Sequence, residues 1–261
     1  MRLKLTIEYA GTRYSGWQIQ KNARTVQGEL EGAIREATGG RTAELYGAGR
    51  TDAGVHAMAQ VAHMDDDGTL PPETLRRRIN DVLPADINVL HIERVRHRFH
   101  ARHDAVARSY VYLIARRRSA FAKPLIWWVR EDLDVTAMRR AARHFVGMHD
   151  FRSFADVDPD EQSTQVLLET LRLHEQGDLL LIHVEGSHFL WKMVRRLVGV
   201  LVEVGRGGLD GDGAAALLRE RSPLPARLTA PASGLFLERV YYPGDRRGGS
   251  LEPLIQLRRY T

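Results

Sequence analysis

The chain has 261 residues, 43% hydrophobic and 27% charged, enough to bury a substantial core and too apolar for wholesale disorder. It has no cysteine, which excludes disulfides, thiolate zinc sites, iron–sulfur clusters and a cysteine nucleophile. Lysine plus arginine number 38 against 33 acidic residues, and nearly all the cations are arginine; this net charge of +5 fits either a solvated basic surface or bidentate phosphate contact. No apolar run approaches the roughly 20 residues of a membrane span. The longest, Phe189 to Val204, is interrupted by Lys192, Arg195, Arg196 and Glu203. The N-terminus alternates apolar and polar residues and carries no secretion signal, so a soluble cytoplasmic protein is expected.

Leu3, Leu5, Ile7 and Tyr9 alternate with polar residues, the pattern of a half-buried strand. Val26, Leu30, Ala33, Ile34 and Ala37 then recur at helical spacing behind a Thr25 cap, and Gly39-Gly40 ends that helix. Leu45 to Met64 reads as short strand, glycine-rich loop and strand. A helix over Glu73 to Leu83 lies between Pro72 and Pro84, and Ile87 to Val95 is a strand. Strand, helix, strand, strand, helix, strand is a ferredoxin-like unit.

The second part repeats that order. Arg108 to Ala115 is a strand apolar on both faces. Asp134 caps a helix through Phe145, and Leu168 to Leu173 with Leu179 to Val184 form a hairpin around Gln176-Gly177-Asp178. Phe189 to Val204 is a long helix, Ala214 to Arg219 a short one, and Leu235 to Tyr241 the last strand. The fold class expected is α+β: two ferredoxin-like halves, residues 1–104 and 105–243, joined edge to edge in a mixed, mostly antiparallel sheet with helices on one face and a central cleft. A mobile tail is expected from Gly244 onward. Residues 1–104 hold 15 basic and 14 acidic side chains, so the excess of cations lies mostly in the second part.

The segment richest in chemistry is Tyr46-Gly47-Ala48-Gly49-Arg50-Thr51-Asp52-Ala53-Gly54-Val55-His56-Ala57. Three glycines allow tight turns and close backbone approach, in a stiff loop that presents Arg50 and Asp52. It is not a dinucleotide fingerprint, because Asp52 stands where the last glycine of GxGxxG belongs, and it lacks the Gly-Lys-Ser/Thr of a phosphate-binding loop. An ordinary turn with a surface Arg–Asp pair is the plain alternative.

GAGRTDAGVHA followed by Gln60-Val61-Ala62-His63 resembles the signature of the TruA-type tRNA pseudouridine synthases. Further matches follow in the family's order. They begin with Tyr14-Ser15-Gly16-Trp17-Gln18-Ile19-Gln20, Thr25-Val26-Gln27, Leu83-Pro84-Ala85-Asp86-Ile87, Phe99-His100-Ala101-Arg102 and Arg108-Ser109-Tyr110-Val111-Tyr112. They continue with His149-Asp150-Phe151-Arg152-Ser153-Phe154, Met193-Val194-Arg195 and Ala230-Pro231-Ala232-Ser233-Gly234-Leu235.

The resemblance implies an isomerase that converts uridine to pseudouridine at tRNA positions 38 to 40, as a homodimer and without cofactor or metal. It makes Asp52 the catalytic carboxylate, Arg195 the cation that keeps it ionised, and Tyr110 the ring that stacks on the uracil. Arg50 fills the gap left by the flipped nucleotide, Leu235 lines the pocket, and His56 and Arg102 complete the substrate-binding set. His97, His100 and His103 suggest a metal by spacing, but Arg96, Arg98 and Arg102 between them oppose one. The chain departs from the family pattern at Arg196, where asparagine is usual, at Trp191-Lys192, and in lacking a basic residue between Ser163 and Leu168. The rival readings are a non-catalytic RNA-binding module, which has no need of Asp52, and a hydrolase that uses Asp52 as a base.

Overall fold

The computed structural model describes residues 1–68, 70–156, 163–248 and 257. Packing divides the chain into two units, Met1–Val106 with Phe236–Asp245, and Ala107–Leu235 with Arg246–Thr261.

The first unit opens with β1 (Arg2–Tyr9), whose alternation buries Leu3, Leu5, Ile7 and Tyr9. α1 (Val26–Ala37) begins where the Thr25 hydroxyl accepts the Gly28 N–H at 3.3 Å, and its buried stripe is the one its spacing predicts. β2 (Tyr46–Gly47), β3 (His56–Asp65), α2 (Pro72–Val82) and β4 (Ile87–Val95) follow. β1 lies between β3 and β4, antiparallel to both, and β2 pairs antiparallel with β3. The order β4-β1-β3-β2 is the ferredoxin-like arrangement.

The second unit holds β5 (Ala107–Ala115), β6 (Trp127–Trp128), α3 (Val135–Ala142), β7 (Gly147–Asp150), β8 (Gln165–Gln176) and β9 (Leu179–Gly186). α4 (Met193–Gly205), α5 (Gly211–Ala216) and α6 (Leu224–Arg227) complete it. Its antiparallel order is β7-β8-β9-β5, and β6 runs parallel to β5. β9 is buried on both faces from Leu179 to Ile182, as its unbroken apolar run requires of an interior strand.

The last strand is β10 (Leu235–Tyr241). Phe236 and Leu237 pair in parallel with His56 and Ala57, so the strand packs in the first unit. The protein is thus α+β, and the ten strands among the described residues are mixed and mostly antiparallel.

Two further differences from the expected elements have local causes. The helix expected from Phe189 starts at Met193, because Lys192 is left-handed (φ 64°) and a right-handed helix cannot run through it. The tail expected from Gly244 has at least one tie, since Arg247 pairs with Glu169 and Glu185; beyond Gly248, all but Leu257 lies outside the described residues. Among the described residues, no helix is long and apolar enough to cross a membrane.

Candidate active site

The Asp52 loop connects β2 to β3 and is fastened on both sides. At its start, the Ala48 N–H donates to Val61 O at 2.7 Å. The fully buried Gln60 side chain donates to Gly49 O at 3.0 Å and accepts the Val61 N–H at 3.1 Å. Past the tip, the Val55 N–H closes a turn on Asp52 O at 3.1 Å.

The segment after β1 grips the other face. Trp17 N–H donates to Thr51 O at 3.0 Å, Gly54 N–H to Tyr14 O at 3.3 Å, and the buried Tyr9 and Thr51 hydroxyls share a hydrogen bond of 2.7 Å. This embrace needs glycine twice. Gly16 sits at φ 93°, and a Cβ there would come within 2.6 Å of Thr51 O and 3.2 Å of the Asp52 carbonyl carbon. A methyl group on Gly11 would overlap the Val55 carbonyl. Within this frame Asp52 is half-buried and Arg50 exposed.

His56 is fully buried. Its Nδ1 accepts the Gly11 N–H at 3.0 Å, and its ring stacks on Phe236 at 4.6 Å, so it fastens the loop's exit to the segment after β1 and to β10. Resemblance implies a substrate contact for it; the structure shows its ring enclosed between the Gly11 segment and Phe236.

Arg102 is exposed on the turn after Phe99. That turn is anchored by the Ala101 N–H donating to His63 Nδ1 at 3.1 Å and by the Tyr242 hydroxyl donating to Ala101 O at 2.8 Å. Burial, reinforced by the neighbouring His100 and Arg2, pushes the His63 imidazole down to about 4. An N–H already points at Nδ1, so a proton there would break the anchor. The unfolded imidazole titrates near pH 6.5, so this stabilisation is complete above about pH 7 and falls away as pH drops toward 4, by on the order of 2 kcal/mol. Urea midpoints at pH 7 and pH 5 should therefore differ less in His63→Gln, whose carboxamide oxygen still accepts the Ala101 N–H, than in the unaltered chain. An equal difference would refute this.

In the second unit, Tyr110 is half-buried on β5 and meets Phe189 edge to face, with centroids 5.1 Å apart. Tyr112, two residues on, is wholly buried and donates to Pro231 O at 2.8 Å; burial raises its phenol far above the usual tyrosine range, against a smaller opposing effect from Arg195. It is a packing residue, as the pattern of β5 suggests.

Arg195 is half-buried in the first turn of α4. Its Nε donates to Ala230 O at 2.8 Å, and its own carbonyl accepts the Ala230 N–H at 3.1 Å. This reciprocal pair ties Arg195 to the segment leading into the buried Leu235. Arg195, Tyr112 and the approach to Leu235 therefore form one cluster, while Arg50 and Asp52 share the loop of the first unit.

Arg196, one of the departures from the family pattern, is no surface RNA contact. It is buried and pairs with Asp156, which also takes Lys192 Nζ at 2.6 Å. Asp156→Ala would leave that guanidinium buried without its carboxylate. The expected cost is about 2 kcal/mol, below the full buried-pair penalty because Asp156 keeps some solvent, and lowers Tm by about 5 °C. Asp156→Glu should recover most of the loss; an unchanged Tm in Asp156→Ala would show the pair to be idle. The sequence carried no signal for this contact, since its members stand 40 residues apart. Among the described residues, no three His, Asp or Glu side chains converge to hold a metal ion.

The first unit thus carries a pinned aspartate loop, and the second a braced arginine and an aromatic strand. The family described as tRNA pseudouridine synthase matches residues 5–104 and 141–243. A Geobacter sp. (strain M21) protein described as tRNA pseudouridine synthase A is 43% identical over 244 residues, covering 92% of this chain and 98% of its own. The like-named Rhodopseudomonas palustris (strain BisA53) protein is 44% identical over 244 residues, covering 92% and 99%. A Bacillus cereus (strain ATCC 10987 / NRS 248) protein described as tRNA pseudouridine synthase A 2 is 39% identical over 242 residues, covering 92% and 98%. A solved chain described as a Cbf5-Nop10-Gar1 complex aligns over 76% of this chain and 54% of its own at a TM-score of 0.32 and 9% identity, too distant to bear on the site.

The chain belongs to the TruA-type family of tRNA pseudouridine synthases. It is an isomerase whose activity is tRNA pseudouridine synthesis.

Proposed function

We propose that this enzyme converts uridine to pseudouridine at positions 38 to 40 of the tRNA anticodon stem-loop, with the Asp52 carboxylate as nucleophile. The supporting observation is the fastening of the Asp52 loop on both sides by hydrogen bonds, which fixes in advance of the substrate the backbone that carries the carboxylate. The C1′–N1 bond breaks, the uracil turns, and a C1′–C5 bond forms. N1 gains a proton and C5 loses one, so the product has the atoms of the substrate. Attack at ribose C1′, attack at base C6 and elimination through a glycal all begin with this carboxylate.

A carboxylate in a site that excludes water tends to protonate, and Arg195 supplies the opposing charge. Tyr110 stacks on the extruded uracil, a contact worth roughly 1–3 kcal/mol. Arg50 occupies the place the nucleotide leaves, which offsets an unstacking cost of a few kcal/mol. Leu235 lines the pocket, Arg102 contacts RNA, and His56 acts by holding the loop. The enzyme works in the cytoplasm as a homodimer, with basic residues of both copies on one tRNA.

The test is to incubate unmodified tRNA transcripts with uridine at 38, 39 or 40, or at none, and to map the product base by base. Conversion confined to those positions supports the reading; conversion elsewhere overturns the site assignment. Binding without conversion would favour the RNA-binding module.

A further inference from the structure

From Arg116 to Arg130 the chain has five basic residues and no acidic one. Two of the cations are spent on anchoring the segment: Arg116 pairs with Glu175 at 2.7 Å and Arg117 with Asp178 at 2.8 Å, both on the β8–β9 hairpin. Ala122 is buried and accepts the Leu125 N–H at 2.9 Å, so the loop has a built conformation. Within it, Phe121 is 96% exposed, more than any other large hydrophobic side chain described. Arg118, Lys123 and Arg130 are exposed; Arg118 and Lys123 form no salt bridge among the described residues, and Arg130 has only a weak electrostatic interaction with its neighbour Glu131. Arg118 lies 6.0 Å from the ring of the exposed Trp128.

We propose that this loop is a second tRNA contact, in which Phe121 stacks on an unpaired base and Arg118, Lys123 and Arg130 meet phosphates. A sequence-tolerant nucleic-acid contact combines a bare aromatic face with a cluster of cations. An interface between copies instead depletes its centre of charge. The loop also stands apart from the base that reacts. Tyr110 and Ala115 are five residues apart on β5, about 17 Å at the usual rise of a strand, and the loop begins beyond Ala115. Its effect is therefore on holding tRNA and not on turnover. The inference rests on tRNA being the substrate and, for the loop's separation from the reacting base, on the stacking role given to Tyr110.

The experiment measures tRNA binding and steady-state conversion for Phe121→Ala and for the triple variant Arg118→Ala, Lys123→Ala, Arg130→Ala. Phe121 makes little contact with the rest of the chain, so its removal leaves folding intact. Phe121→Ala should raise Kd and KM about tenfold and leave kcat at saturating tRNA within about twofold. The triple variant should lower the slope of log Kd against log salt by about two to three. Repeating both with an anticodon stem-loop fragment tells whether the contact lies on that arm or on the rest of the tRNA. Unchanged affinity and salt slope on intact tRNA would overturn the proposal. So would a smaller sedimenting species with unaltered affinity per protomer, which would assign the loop to contact between copies. If the unaltered enzyme converts no tRNA, it is the substrate assignment that fails.

Discussion

Asp52→Asn is expected to abolish pseudouridine formation, by at least about 10⁴-fold in single-turnover rate, while tRNA binding changes by no more than a few-fold. The carboxamide keeps the shape of the side chain and loses the charge that attacks. The loop around it is held through backbone groups and through Gln60, Tyr9 and Thr51, none of which the substitution touches. The fold and the RNA surface should therefore survive. The check is a pair of measurements on one preparation, filter binding of unmodified tRNA and nucleoside chromatography of the digested product. Retained turnover would remove Asp52 from its role.

Gly16→Ala should come next in size. The added methyl would stand 2.6 Å from Thr51 O in a residue held at φ 93°, a conformation L side chains rarely adopt. The backbone strain costs on the order of 1–3 kcal/mol. The larger effect is on the chemistry, because relief of the clash moves the peptide between Thr51 and Asp52. A misplacement near 1 Å at a reacting group costs about 100-fold in rate. The expected signature is a kcat about 100-fold lower with tRNA affinity nearly intact. A variant with unaltered kcat would show that the grip of this segment on the loop is not what orders Asp52.

Much of this architecture was legible from local pattern. Alternation marked β1, spacing and a cap marked α1, flanking prolines marked α2, and the glycines around Arg50 and Asp52 marked the loop. What escaped depends on partners distant in the chain. β6 and β7 are short strands defined by the neighbours they pair with, not by a periodicity of their own. β10 was legible as a strand, but its parallel pairing with β3, distant in sequence, has no trace in its own residues. The start of α4 was misplaced because the apolar spacing continues upstream of Lys192 while the backbone does not. For the site, the glycine-rich loop singled out Arg50 and Asp52, and Arg195 came from the family resemblance alone. The tie of Arg195 to Ala230 and the burial of Arg196 against Asp156 required the folded chain.

The claim at the centre is that a protein carboxylate alone starts the isomerisation of a tRNA uridine. The most direct test is to incubate chelator-treated enzyme with tRNA carrying uridine labelled in the base, then resolve nucleosides, free uracil and RNA length together. Label is expected in pseudouridine within full-length tRNA, at a rate unaffected by the chelator. Label released as uracil, shortened RNA, or conversion that returns only when a metal ion is added back would contradict it.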